Sequence, residues 1–215
     1  MIPDWAVERE RMVETQLRRR GIFDNRVLRA MREIPREEFV PPESRVMAYR
    51  DEPVHIGYGQ TISQPFMTAL MAQELELRGD ETVLEVGAGS GYAAAVLGEL
   101  AARVITVEII PGLVEQARRN LRRARRDTNV TVVLGDGSMG YPEAAPFDAI
   151  SVAAGAPEVP ASLVEQLNDP GRLAIPVGDR DNQELRVVWK RNGRFESRVS
   201  THCRFVPLVG GEGWN

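Results

Sequence analysis

Three closely spaced glycines mark the part of this 215-residue chain best suited to binding a ligand. They are Gly87, Gly89 and Gly91. Mostly β-forming residues precede them at 82–86, and an alanine-rich helical pattern follows at 92–100. A strand, a tight turn and a helix N-terminus direct backbone N–H groups at a nucleotide-like ligand. The third glycine comes one residue earlier than in the dinucleotide fingerprint Gly-x-Gly-x-x-Gly/Ala, and Tyr92 stands where that fingerprint has a small residue.

Three carboxylates narrow the choice of ligand. Glu108 ends the next predicted strand, where it can accept hydrogen bonds from ribose hydroxyls in an NAD or an S-adenosyl-L-methionine (SAM) site. Glu85 lies inside the first strand, where an NAD site usually has an apolar residue, and a carboxylate there suits the sulfonium and ammonium of SAM. Asp136 follows a third strand and can accept a hydrogen bond from an adenine amine. Taken alone, Glu85 could bond to the backbone and Asp136 could close a plain turn. Taken together, the three carboxylates favour SAM over NAD.

Strands and helices alternate around these residues. We predict strands at 82–86, 103–107, 130–134, 147–153 and 172–177, and helices at 92–100, 111–126 and 160–167. Such alternation predicts an α/β fold with a doubly wound, mostly parallel, Rossmann-like sheet. The pattern then changes to a hairpin, 185–190 and 195–201, around the turn Asn192-Gly193, and to a further strand at 204–208. We therefore expect antiparallel C-terminal strands at one edge of the sheet.

The N-terminal part reads as a helical cap on the same unit. Asp4 can cap a first helix that Gly21 ends, a second helix runs from near Asp24 to Pro35, and a short helical turn covers 43–49. Residues 50–65 have no clear periodicity, which in a compact domain indicates a functional segment, and an amphipathic helix is predicted at 65–77. We expect one SAM-binding domain over 1–215, with 1–80 as the helical extension and active-site segment and 81–215 as the SAM-binding core.

The composition and the charge pattern argue against several other classes of protein and of binding site. The net charge is −4, and Cys203 is the single cysteine, so an internal disulfide is excluded and no Cys/His cluster suggests a metal. Arginines crowd the predicted helix at 111–126, opposite an apolar stripe, and we interpret them as a solvated face rather than a nucleic-acid site. No N-terminal signal pattern and no apolar run of about 18 residues occurs. We expect a cytoplasmic monomer without metal, membrane or nucleic-acid partners; His55, His202 and Cys203 receive no role.

Several stretches of the chain resemble the protein-L-isoaspartate O-methyltransferase family. They lie at 34–41, 48–53, 56–65, 83–92, 135–137, 145–149, 165–167, 171–178 and 205–208. The most specific is Gly59-Gln-Thr-Ile-Ser-Gln-Pro65, which general SAM enzymes lack. The resemblance implies methyl transfer from SAM to the free α-carboxylate of isoaspartyl residues in damaged proteins and peptides. The ester then cyclises to a succinimide, whose hydrolysis restores some normal aspartate.

The same resemblance implies roles for individual residues. Ser63 matches the active-site serine, and Val206 matches a position whose backbone contacts the substrate. The implied cofactor-binding residues are Gln60, Thr61, Ile62, Gly87, Gly89, Gly91, Glu108, Ile109, Asp136 and Gly137, to which the residue types add Glu85.

The chemistry of the acceptor bears on the role of Ser63. An isoaspartyl α-carboxyl has a pKa near 3.5 and needs no base, so we expect Ser63 to orient the carboxylate and not to act as a nucleophile. A serine that only caps the helix beginning at Pro65 is the alternative for this residue. For the whole protein, an NAD-dependent oxidoreductase and a non-catalytic SAM-binding module remain alternatives.

Overall fold

Nine strands organise the computed structural model, which describes residues 3–214. In chain order they are β1 (Val54–Gly57), β2 (Gln60–Ile62), β3 (Thr82–Val86), β4 (Arg103–Glu108), β5 (Val130–Leu134), β6 (Phe147–Val152), β7 (Leu167–Gly178), β8 (Gln183–Arg191) and β9 (Arg194–Cys203). Seven of them form one sheet in the order β5-β4-β3-β6-β7-β8-β9, and β1 pairs only with β2.

The sheet confirms the predicted fold class. The pairs from β5 through β7 are parallel, whereas β8 pairs antiparallel with both β7 and β9. The chain starts in the middle of the sheet at β3, moves outward through β4 and β5, and returns to the other side of β3 at β6. This reversal opens a crevice at the carboxyl ends of the strands, where open α/β sheets bind ligands.

Within residues 3–214, six α-helices flank the sheet. They are α1 (Trp5–Met12), α2 (Asn25–Glu33), α3 (Pro65–Glu74), α4 (Tyr92–Gly98), α5 (Pro111–Arg123) and α6 (Ala161–Glu165). Shorter helical turns cover Val13–Leu17 as a π-helix, and Arg18–Arg20, Arg36–Glu38, Pro42–Met47, Gly137–Met139 and Pro142–Ala144 as 3₁₀-helices. The predicted N-cap of the first helix is confirmed, since the side chain of Asp4 accepts hydrogen bonds from backbone N–H groups of the first turn. Asp24, near which the second helix was predicted to begin, caps that helix in the same way. Gly21 ends the first helical stretch with a φ of 94°.

Three secondary-structure predictions were wrong. Residues 50–65 contain the β1–β2 hairpin, whose turn at Tyr58 and Gly59 has positive φ angles. The predicted strand at 204–208 is an extended segment with a single bridge between Pro207 and Gly155, because proline has no N–H to continue a ladder. Helix α3 is not amphipathic: most of its side chains are buried, because it contacts the α2 helix and the α4 helix as well as the N-terminal π-turn.

The core lies on both faces of the sheet. On one face the N-terminal helices, α3, α4 and α5 share a continuous apolar cluster with sheet residues such as Val83 and Val104. On the other face Leu84, Ile105 and Phe147 pack with Leu163 of α6. The N-terminal helices therefore pack directly onto the sheet. Within the described residues, no helix is long and apolar enough to span a membrane, and no group of three or more His, Cys, Asp or Glu side chains could hold a metal.

Candidate active site

One cavity of about 450 Å³ opens at the carboxyl ends of β3 and β4. Its size is within the usual range for sites that enclose a small molecule. The lining residues are 60–63, 68, 86–90, 92–93, 107–111, 113, 137, 153–154 and 206–209. Most predicted site residues are among them: Gln60, Thr61, Ile62, Ser63, Gly87, Gly89, Glu108, Ile109, Gly137 and Val206. The predicted residues Glu85, Gly91 and Asp136 lie outside the lining.

The glycine turn has a backbone that only glycine adopts easily. Gly87, Gly89 and Gly91 have φ angles of 91°, 52° and 87°, and L-residues pay a steric penalty in this left-handed region. A Cβ on Gly91 would also lie 3.3 Å from the backbone of Ala117 on α5. Gly91 therefore belongs to the site through packing: it lets α4 and α5 approach closely behind the turn.

Glu108 both faces the cavity and braces the turn. Its side chain is 5% exposed, and its two oxygens accept the N–H groups of Gly89 and Ile110, each at 2.9 Å. An ionised carboxylate has about four acceptor positions, so further positions remain for ligand hydroxyls. The sequence predicted the ligand contact but not the brace, which fixes the turn relative to the end of β4.

Glu85 is not where the sequence led us to expect it. Its side chain is fully buried and accepts a hydrogen bond from Thr106 Oγ1 at 2.5 Å, while its Oε1 has no partner among the described residues. Burial raises its pKa to about 8, with a smaller rise from the charge of Glu108 and an opposing effect of Thr106. A carboxyl that is buried beneath the turn and mostly protonated at neutral pH does not offer negative charge to a cationic ligand in the cavity.

Asp136 is engaged by its own chain. Its Oδ1 accepts from Ser138 N at 2.9 Å and Ser138 Oγ at 2.7 Å, and its Oδ2 accepts from Gly211 N at 2.8 Å. Partial burial alone would raise its pKa, but these hydrogen bonds hold the pKa below its ordinary value. Asp136 thus anchors the C-terminal segment next to Gly137, whose close contact with Val86 leaves no room for a side chain.

Ser63 lies at the opposite end of the cavity, between β2 and α3. Its carbonyl accepts from Arg36 Nη2 at 2.7 Å, and its hydroxyl has no hydrogen bond to any described residue. The first turn of α3 has Gln64 at the N-cap position and no side-chain cap. The helix-capping alternative for Ser63 therefore finds no support, and its hydroxyl is free to meet a ligand.

The hairpin that carries Ser63 rests on the first turn of α5. The Tyr58 phenol lies over Gly112, where any Cβ would overlap it, and Gln116 Nε2 donates to the carbonyl of Ile56 at 3.2 Å. Ile56 in turn lies over Gly89. The hairpin thus forms a wall that reaches from the glycine turn to Ser63.

The extended segment that contains Val206 forms the facing wall. The carbonyl of Val206 accepts from Gly155 N, and Leu208 N donates to the carbonyl of Gly155, both at 2.8 Å. Trp214 Nε1 donates to the same Gly155 carbonyl at 3.0 Å. Because the carbonyl of Val206 already accepts this hydrogen bond, the N–H and the side chain of Val206 are the groups left to contact a ligand.

Among the lining residues with polar groups, the sequence missed Thr68, Ser90 and Tyr92. Thr68, one turn into α3, is 6% exposed and faces the same end of the cavity as Ser63. Thr15 in the π-helical turn after α1 donates its hydroxyl to the carbonyl of Arg11 at 2.7 Å, but the Thr68 hydroxyl makes no such bond within the described chain. Tyr92 lines the cavity from the start of α4. The tyrosine position was noted only as a departure from the dinucleotide pattern, and Thr68 had no signal beyond its proximity to the motif at 59–65.

Comparison with known proteins connects this site to one family. Residues 7–213 match the sequence model of the family described as protein-L-isoaspartate(D-aspartate) O-methyltransferase. The chain is 53% identical to the protein-L-isoaspartate O-methyltransferase of Methanoculleus marisnigri, over 96% of this chain and 94% of that one. It is 54% identical to protein-L-isoaspartate O-methyltransferase 2 of Marinobacter nauticus, over the same shares. A Plasmodium falciparum structure assigned to this family and bound to S-adenosyl-L-homocysteine (SAH) aligns with a TM-score of 0.83 and 29% identity, over 94% of this chain and 98% of that one.

Proposed function

The chain belongs to the protein-L-isoaspartate(D-aspartate) O-methyltransferase family, and from this we propose how its cavity performs the reaction of that family. The protein transfers a methyl group from SAM to the free α-carboxylate of L-isoaspartyl residues in damaged proteins and peptides. The methyl ester then cyclises to a succinimide, and hydrolysis of the succinimide returns part of the damaged residue to aspartate. The product of the cofactor is SAH, the molecule bound in the Plasmodium falciparum relative.

The described residues fit SAM. The cavity of about 450 Å³ has the size for a nucleoside with an amino-acid chain, and the turn at Gly87 and Gly89 lets a ligand approach the backbone without a side chain in between. Glu108 offers acceptor positions for ribose hydroxyls, next to Ile109. Gln60, Thr61 and Ile62 would cover the ligand from the hairpin side. When bound, SAM supplies an electrophilic methyl group on a positively charged sulfonium.

The protein's own residues act mainly by positioning the acceptor and excluding water from it. The α-carboxylate is already ionised at neutral pH and needs no proton acceptor. The free hydroxyl of Ser63 donates a hydrogen bond that orients this carboxylate, and Val206 contacts the peptide next to it. Opposite charges combine in the reaction, so a positioned site with little water favours it more than an acid/base pair would.

The observation that supports these roles is that a single cavity is lined by Glu108 and the glycine turn at one end and by Ser63 and Val206 at the other. The test is transfer of labelled methyl from SAM to an isoaspartyl peptide, with the matching aspartyl peptide as control. We expect label in the isoaspartyl peptide alone. Equal labelling of both peptides, or of neither, would contradict the proposal.

We also propose that the protein works in the cytoplasm as a monomer, as one domain over 1–215, and without nucleic acid. Several arginines of α5 and of the residues just after it support the last point because carboxylates pair with them: Arg118 with Glu115 at 2.8 Å, Arg123 with Glu38 at 2.6 Å and Arg126 with Glu99 at 3.1 Å. The apolar cluster shared by the N-terminal helices and the sheet supports a single domain. Light scattering and cell fractionation test the first two points directly.

A further inference from the structure

Arg36 is a buried cation directly behind the acceptor end of the cavity. Its side chain is 0% exposed, which is rare for arginine. Its Nε donates to the carbonyl of Ala48 and its Nη2 to the carbonyl of Ser63, both at 2.7 Å. The guanidinium therefore holds the backbone of the residue whose hydroxyl faces the acceptor.

The same guanidinium contacts a second wall of the cavity. Its carbon lies 4.7 Å from the centroid of the Tyr92 ring, within the distance of a cation–π interaction. Tyr92 begins α4 immediately after the glycine turn and lines the cavity. Arg36 thus connects Ser63 on the acceptor side to the helix that follows the cofactor turn.

The charge of Arg36 has no carboxylate partner among the described residues. The adjacent acids are used elsewhere: Glu37 pairs with Arg9 at 3.5 Å, and Glu38 pairs with Arg123 at 2.6 Å. Asp51, a more distant acid, bonds to Arg20 and to the N–H of Phe66; its charge acts on Arg36 only from a distance, where it slightly opposes the effect of burial on the pKa of Arg36. Nη1 of Arg36 is buried without a hydrogen-bond partner in the described chain.

An unpaired buried charge is costly to a fold. Burial lowers the pKa of Arg36, but a guanidinium begins with so high a pKa that it stays charged. The two carbonyls satisfy part of its hydrogen-bonding capacity and none of its charge. An anion at the Ser63 end of the cavity would supply the missing negative charge, and the acceptor of this reaction is a carboxylate.

We propose that Arg36 is a positioning residue for the acceptor: it fixes Ser63 through the Ser63 carbonyl, and its positive charge draws the α-carboxylate of the isoaspartyl residue to that end of the cavity. The inference rests on the proposed function. Arg36 acts through Ser63 and does not itself line the cavity. Since the attraction acts on the acceptor, its loss should raise the KM for the peptide and leave cofactor binding nearly unchanged.

The test compares two substitutions of Arg36 with a matched control. R36K keeps the charge but loses the planar fork that bonds two carbonyls, and R36M loses both. The control is R26K, because Arg26 also bonds two carbonyls, of Leu77 at 2.6 Å and Leu100 at 2.9 Å, away from the cavity. We expect the KM for an isoaspartyl peptide to rise about tenfold in R36K and further in R36M, as for loss of a charged hydrogen bond. The Kd for SAH should stay within about twofold in R36K, and R26K should change neither value.

An unchanged peptide KM in R36K would overturn the positioning of Ser63 by Arg36, and an equal KM in R36K and R36M would overturn the attraction of charge. Equal changes in peptide KM and SAH Kd would indicate a purely structural role and overturn both. A measurement on the unaltered protein does not depend on any variant folding. The peptide with an α-carboxamide in place of the carboxylate should have a Kd at least about tenfold higher than that of the isoaspartyl peptide. Equal binding of the two peptides would overturn the attraction of charge. If the unaltered protein methylates no isoaspartyl peptide, the proposed function fails. If the unaltered protein methylates the peptide and R36K has the same peptide KM, only the role of Arg36 fails.

Discussion

The two ends of the cavity are built in different ways. At the cofactor end, local backbone structure sets the geometry: the turn follows β3 directly, Gly87 N donates to Val107 O at 2.8 Å, and Glu108 bonds to Gly89 N. At the acceptor end, a two-stranded hairpin and an extended segment are held by contacts between distant parts of the chain, such as Arg36 to Ser63 and Val206 to Gly155. The cofactor end is therefore part of the sheet itself, whereas the acceptor end depends on side chains that can be changed without altering the sheet.

The strongest test of this contrast is Gly91→Ala at the cofactor end. We expect the free energy of unfolding to fall by about 2–5 kcal/mol, since a left-handed φ costs L-residues about 1–2 kcal/mol and overpacking against Ala117 adds about 1–3 kcal/mol. SAH affinity should fall with it. Gly193→Ala is the matched control, because Gly193 has a φ of 70° and open space around it; its loss should be only about 1–2 kcal/mol. Equal losses in urea unfolding would show that the close approach of α5 is unimportant.

Glu85→Gln should reveal the buried carboxyl beneath the turn. Its folded-state pKa of about 8 lies above the ordinary value of 4.5, so the folded protein holds a proton that the unfolded chain releases between these values. Its contribution to stability is complete below about pH 4.5 and is lost as pH rises through about 8. Glutamine cannot ionise, so the free energy of unfolding of Glu85→Gln relative to the unaltered protein should rise by about 2 kcal/mol between pH 6 and 8. Parallel curves for the two proteins over this range would contradict a protonated Glu85.

Ser63→Ala should affect the acceptor end alone. Loss of one hydrogen bond to a charged group predicts a fall of about 10- to 100-fold in kcat/KM for the isoaspartyl peptide. The Kd for SAH should be unchanged, because the cofactor end keeps its geometry. Ser200→Ala, which removes a hydroxyl bonded to Glu74 at 2.6 Å on β9, should leave both values as they were. Full turnover in Ser63→Ala would show that its hydroxyl does not orient the carboxylate.

Thr68→Val gives the smallest expected effect. Valine keeps the shape of the side chain and removes the hydroxyl, so we expect the peptide KM to rise about three- to tenfold if this hydroxyl helps Ser63 bind the carboxylate. Thr15→Val serves as control because its hydroxyl already bonds to the Arg11 carbonyl on an exposed helix. An effect of Thr68→Val on SAH affinity instead of peptide KM would assign Thr68 to the cofactor end.

The same contrast explains what the sequence could predict. Strands β3, β4 and β5 agree with prediction to within one residue, because buried apolar runs bounded by glycine or acidic residues leave little ambiguity. The hairpin was missed because β2 has only three residues and Tyr58 turns with a φ of 54°, which its residue type does not predict. The prediction of a strand at 204–208 was wrong because Pro207 has no N–H to donate to the hydrogen bonds of a sheet.

The site follows the same division. Glu108 and the glycines could be identified from their order along the chain, and Ser63 came from the resemblance to a family. Glu85 lies outside the cavity lining because alternation along β3 directs its side chain to the face of the sheet that Val83 shares, so its contact with the ligand stays a prediction. Arg36 gave no local signal: its burial results from Ala48, Ser63 and Tyr92, which are 12, 27 and 56 positions away in the chain.

The hydrogen bond from the Gly211 N–H to Asp136 provides a way to observe the cofactor end of the cavity without measuring catalysis. An amide N–H that donates a hydrogen bond exchanges with solvent deuterium only when that bond opens. The Gly211 amide is such a group, so any ligand amine that draws on the Asp136 carboxylate should change its exchange rate. The Gly193 amide, which donates to Asp169 in a remote turn, is an internal reference that the same ligand should leave unaltered. Hydrogen exchange at a single glycine of the C-terminal segment would then report whether the adenine end of a bound cofactor has reached Asp136.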